Sequence, residues 1–165
     1  MIPTGEFIDR YGRLLAYLAP WFAGPPGDPL PPKDAPERRT FNLDMVASGW
    51  GAMFVIYRSL PRNDDLNLLL AEAQVAWNER RGAWAAFGED LLLGYEFRAA
   101  IKLGIKKLQD PATAIADAYQ RLCVDLRDLR VVGKFDYHEV PPSQRLWIWE
   151  ADLAAATHDL ALPDH

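Results

Sequence analysis

Cysteine is nearly absent from this chain: Cys123 stands alone, so neither an intramolecular disulfide nor a cysteine-based zinc site can form. A lone cysteine of this kind is expected to be a buried, inert thiol. Histidine is scarce too, limited to His138, His158 and His165. His138, between Tyr137 and Glu139, has the chemistry of a base or a metal ligand. It has no second histidine at helical or hairpin spacing, so a structural or surface role is expected. No apolar run approaches the roughly 20 residues that a membrane helix requires. The first residues lack the basic region and apolar run of a secretory signal. The chain as written is therefore expected to be soluble and cytoplasmic, with no membrane partner. Positive charge is not in excess, with 18 Lys and Arg against 23 Asp and Glu and a net charge of −5. No broad basic field attracts nucleic acid, and any such binding must come from a local site. Gly-rich phosphate loops, a nucleophile elbow and HExxH are all missing.

The 165 residues, half of them apolar and a quarter charged, suffice for one ordinary core or a small domain with an appendage. Residues 14–18 form a short apolar segment of strand type, entered from a turn at Gly12. Residues 20–36 hold seven of the 13 prolines and read as an extended surface loop. Asn42 has the side chain of a helix N-cap, and Gly49 is the matching stop. Residues 53–57 read as a strand and residues 61–64 as a turn. A helix follows, capped by Asp64 or Asp65, with Leu66, Leu69, Leu70, Ala73, Ala76 and Trp77 at three- and four-residue intervals. Arg80 and Arg81 lie in its last, solvated turn, where a phosphate contact is the less favoured alternative.

Residues 95–105 alternate apolar and polar side chains, and the period of two favours a long half-buried strand. The competing helix would place Leu93, Phe97, Ala100, Ile101 and Gly104 on one face. Asp110-Pro111 opens a short helix running through Ala118 and Leu122. Residues 124–126 and 129–132 read as strands around a turn, residues 146–149 as another extended piece, and residues 152–160 as a closing helix. Asp125 and Asp128 beside Arg127 and Arg130 suggest a solvated face with local ion pairs.

The most concentrated chemistry lies in Asp9-Arg10-Tyr11-Gly12-Arg13. A tight turn would hold Arg13 at the mouth of the following strand, with Asp9 fixing its guanidinium and Tyr11 presenting a second donor. The planar fork of arginine suits a phosphate. The same spacing also fits a surface hairpin with an exposed Asp9–Arg13 ion pair of little energetic consequence. Glu6 is the only carboxylate ahead of this segment.

Asp9-x-Tyr11-Gly12-Arg13-x-Leu15-Ala16-Tyr17 resembles the central motif of the staphylococcal-nuclease-like (thermonuclease) family. Residues 42–51 are similar to that family's short helix with a glycine stop, and residues 53–57 to its next extended segment. Glu72-Ala73-Gln74 and Gly82-Ala83-Trp84 resemble the start and finish of its last helix. The likeness spans roughly residues 4–88, the rear half of the family's domain. It implies a partial OB-type barrel half with helices (residues 1–88); with the small α/β tail read from residues 89–165, whose role the sequence leaves open, the expected fold class is α+β. It implies a relation to calcium-dependent phosphodiester hydrolysis of DNA or RNA. Arg13 would neutralise a phosphate, Tyr11 would donate a hydrogen bond to it and Asp9 would support the turn. The family's metal-binding aspartates, second arginine and catalytic glutamate precede this motif, where only eight residues stand here. The expectation is thus an incomplete or weakly active nuclease, with calcium as its cofactor but no ligands identifiable. A homo-oligomer or a missing front-half partner would cover the open strand edges. The alternative is a non-catalytic nucleic-acid-binding or protein-interaction domain of the same fold. Either the tail strands expected near 95–105 and 124–132 or another chain would have to cover the barrel half.

Overall fold

The computed structural model describes residues 39–61, 63–105 and 118–163, with Gly12, Leu18, Pro29, Pro32, Ala35 and Ile115. Residues 14–17 of the expected strand, most of the proline-rich loop and the Asp110-Pro111 helix start lie outside the described residues; Leu18, the last residue of that expected strand, is in no strand. Within them the fold is α+β: helices accompany a four-stranded mixed sheet. The chain divides into two compact units, Met1–Met53 with Arg58–Gly88, and Phe54–Tyr57 with Glu89–His165.

In the first unit, α1 (Phe41–Ala47) starts one residue ahead of the expected cap. Thr40, not Asn42, is the N-cap, its hydroxyl accepting from the Leu43 N–H at 3.1 Å. Asn42 is drawn elsewhere: its side-chain oxygen accepts from the Leu18 N–H at 3.0 Å. The helix stops as expected, because Gly49 takes φ +75°. Helix α2 (Asn63–Asn78) buries Leu69, Ala73 and Ala76, the stripe that the three- and four-residue spacing predicts. Arg39 joins the two helices, reaching Asp44 and, at 2.9 Å, Glu72. The helix expected to run from Glu72 to Trp84 is not one element. Arg80 (φ +51°) and Gly82 (φ +53°) turn the chain, and α3 (Ala83–Phe87) begins anew. The Trp84 ring is buried edge-on against Trp77 at 5.0 Å.

In the second unit the sheet order is β1 (Val55–Ile56), β4 (Arg145–Trp149), β2 (Arg121–Asp125), β3 (Arg130–Val132). β1 runs parallel to β4; the other pairs are antiparallel. As the central strand, β4 is buried along Arg145–Ile148, which explains its unbroken apolar run. The closing helix (Leu153–Leu160) and β3 follow the sequence pattern closely, whereas β2 starts at Arg121, ahead of the strand expected at residues 124–126. Leu122 belongs to β2, so the helix expected to include it ends earlier; Ile115 and Ala118 are helical.

The principal correction concerns residues 95–105, which form helix α4 (Gly94–Ile105) rather than a strand. The Glu96 carboxylate reaches back to accept the Leu93 N–H at 2.6 Å, one half of a capping box. The face turned inward carries Tyr95 and Ala99, while Phe97 and Ile101 are exposed, so the expected helical stripe is displaced as well. Residues 95–105 therefore supply no strand to cover β1; β4 does so.

Candidate functional site

Asp9, Tyr11 and Arg13 lie outside the described residues, as does Glu6. Between them Gly12 sits in a bend with φ +78° and open space where a Cβ would be.

Among the described residues, chemistry concentrates on one face of the second unit's sheet. Register sets it: Arg121 lies opposite Trp149, Cys123 opposite Trp147, and Asp125 opposite Arg145. With a period of two, these six side chains share a face. Trp147 is its centre, meeting Tyr95 at 4.6 Å and Tyr137 at 5.2 Å in edge-to-face contacts. Burial raises the phenol pKa of both tyrosines well above the usual value. Cys123 is fully buried against this cluster, its thiol pushed up to about 12 by desolvation.

Two arginines bracket the aromatic group. Arg145 is buried, its Nε donating to the Val140 carbonyl at 2.7 Å and Nη1 to the Tyr95 hydroxyl at 2.8 Å. Its guanidinium also lies over the Tyr137 ring. At the other end, the Arg121 guanidinium lies 4.3 Å from the Trp149 ring centre and 5.4 Å from that of Phe54. Its Nε is buried and has no hydrogen-bond partner. Desolvation, reinforced by the nearby charge of Arg98, lowers its pKa from the ordinary arginine value.

Asp125 is not on a solvated face. It is buried, its carboxylate accepting the Arg127 backbone N–H at 3.0 Å and Arg127 Nε at 2.9 Å. The Arg127 side-chain hydrogen bonds hold the carboxyl below its usual pKa. The local turn explains the burial: Asp125 closes it over its own backbone two residues on while β4 covers it. Asp128 and Arg130 are exposed and pair at 3.7 Å, as expected.

The remaining candidates have structural or surface roles. Arg81 donates to the Ala47 carbonyl at 3.0 Å and pairs with Glu79, satisfying an orphan carbonyl at the end of α1. His138 and His158 are exposed. No group of three or more His, Cys, Asp or Glu among the described residues is placed to hold a metal ion, so the calcium that the resemblance implies has no fitting ligand set there. No described helix is long and apolar enough to cross a membrane.

Compared with protein-family models, curated proteins and solved structures, the chain matches none.

The arginines of this face escaped sequence reasoning because their significance depends on register. Only the alternation of Trp147 and Trp149 hinted that one strand face would be aromatic.

Proposed function

We propose that residues 4–88 are the rear half of a thermonuclease-like, partly OB-type domain related to phosphodiester hydrolysis of DNA or RNA. Arg13 is its phosphate-neutralising cation, Tyr11 a hydrogen-bond donor to the same phosphate, and Asp9 the support of the turn. The observation that carries this reading is the order of elements behind the Asp9–Tyr17 motif. A helix closed by left-handed Gly49, an extended piece around Val55 and a helix that contains Glu72–Gln74 follow in that order, though this helix ends at Asn78 and Val55–Ile56 pairs with β4 of the tail. Phosphoryl-transfer catalysis depends on charges fixed around the reacting phosphate, and each lost partner costs about a hundredfold or more. With a single motif arginine, this chain is a weak nuclease by itself. Fuller activity would need a front-half partner or a second copy.

A plasmid-nicking assay with calcium, run beside an oligonucleotide-binding titration, tests the reading. Slow nicking that falls at least about a hundredfold in Arg13→Ala supports it. Salt-sensitive binding without nicking, lost in Arg13→Ala, moves the chain to the non-catalytic binding class. Equal behaviour of the two proteins in both assays removes Arg13 and the family reading with it.

A further inference from the structure

Arg121 differs from four other cations of its unit, each of which has a polar partner. Arg127 is held by Asp125, Arg130 by Asp128, Lys134 by Glu150, and buried Arg145 by a carbonyl and a phenol. Among the described residues Arg121 Nε is the buried side-chain nitrogen that has no hydrogen-bond partner. Its guanidinium carbon lies instead over both the Trp149 and the Phe54 rings, with Arg98 of α4 adding a second positive charge nearby. Withdrawing a guanidinium from water without a counter-charge is costly, and a like charge beside it adds to the cost. Cation–π contact recovers part of this, but it uses the face of the guanidinium and leaves the N–H edge unanswered. Nε alone is buried and unpartnered; neither terminal nitrogen is. The free edge is the bidentate donor array that suits a phosphate oxyanion. Trp149 and Phe54 are 38% and 43% exposed, which leaves apolar ring surface beside that edge for a planar group attached to the phosphate.

We propose that Arg121, fixed on Trp149 and Phe54 and supported by Arg98, is a binding site for a phosphate oxyanion, free or carried by a nucleotide. The site lies on the 89–165 part of the chain with Phe54 and uses none of residues 9–13, so it does not rest on the nuclease reading. A phosphate there accepts from the terminal nitrogens, which are the edge not buried with Nε, and offsets the Arg98–Arg121 repulsion. In a chain of net charge −5, such a site recruits its anion by local geometry rather than by general attraction.

Calorimetric titration of the whole chain with inorganic phosphate, a nucleoside 5′-monophosphate and the corresponding nucleoside tests this. Both phosphate-bearing ligands are expected to bind, and the nucleoside is not. Monophosphate binding at least about tenfold tighter than inorganic phosphate identifies a nucleotide as the source; equal affinities identify the free anion. Arg121→Gln should weaken both at least about tenfold, and Arg98→Gln more mildly, with far-UV circular dichroism unchanged. If Arg121→Gln does not fold, Arg98→Gln and salt decide, because the affinity must fall in each. Failure of both phosphates to bind the unmodified protein, or undiminished binding by Arg121→Gln, overturns the proposal.

Discussion

Gly49 and Gly82 meet backbone to backbone. A Cβ on Gly82 would stand 2.7 Å from the Gly49 carbonyl carbon, and one on Gly49 would stand 2.2 Å from the Arg81 carbonyl oxygen. The contact is fastened by the Ala83 N–H, which donates to the Gly49 carbonyl at 3.0 Å. Both residues also have positive φ, so a side chain at either is opposed by conformation and by space.

Gly49→Ala and Gly82→Ala should therefore each destabilise the protein by about 2–4 kcal/mol, combining left-handed strain with a clash against main chain that cannot swing aside. Gly104 is the control of opposite sign. It lies within α4 with nothing near its missing Cβ, and Gly104→Ala should stabilise by about 0.5–1 kcal/mol. Urea denaturation of the three variants checks both signs.

The Asp125–Arg127 pair makes stability depend on acid. Because the folded carboxyl titrates below the unfolded value of about 3.9, its contribution is fully present above that value. The contribution is lost as pH falls through the folded pKa. Arg127→Ala removes the largest influence that lowers this pKa, leaving burial opposed by the turn's backbone N–H and Arg130, so the acid limb of a stability profile should move to higher pH. Asp125→Ala should cost about 1–3 kcal/mol at neutral pH, because it deletes the acceptor for the turn's own N–H. Unfolding midpoints from pH 3 to pH 7 would show both effects, and an unmoved acid limb in Arg127→Ala would refute the assignment.

Cys123 should be silent in the native state. With its thiol near 12 and no exposed surface, its thiolate fraction at pH 8 is on the order of a thousandfold below that of an unfolded chain. A disulfide reagent should report one thiol in denaturant and almost none before unfolding. Rapid native labelling would show that the sheet opens locally around β2.

Where local spacing and tertiary environment agreed, the sequence was readable. The stripe through Leu69, Ala73 and Ala76 gave α2, and the apolar run into Trp149 gave the central strand. α4 resembles a strand in sequence because Tyr95, Ala99 and Leu103 satisfy a period of two and a period of four at once. The deciding signal was Glu96, three residues after Leu93, which a strand would leave without purpose. Asp125 reads locally as a surface acid because its concealment depends on β4, a strand that arrives 20 residues later. The meeting of Arg121 with Phe54 and Trp149 follows from strand pairing between distant segments, which no local window contains.

That distance has a consequence for how the molecule is made. Val55 pairs with Leu146, and Tyr57 hydrogen-bonds to Asp159, so the middle of the chain waits on residues synthesised long afterwards. A nascent polypeptide halted ahead of Arg145 would hold two orphan strand edges, one on Val55–Ile56 and one on Arg121–Asp125. During translation such a chain is a natural client for a chaperone, and premature stop codons in its last stretch should yield aggregates rather than a shortened working protein.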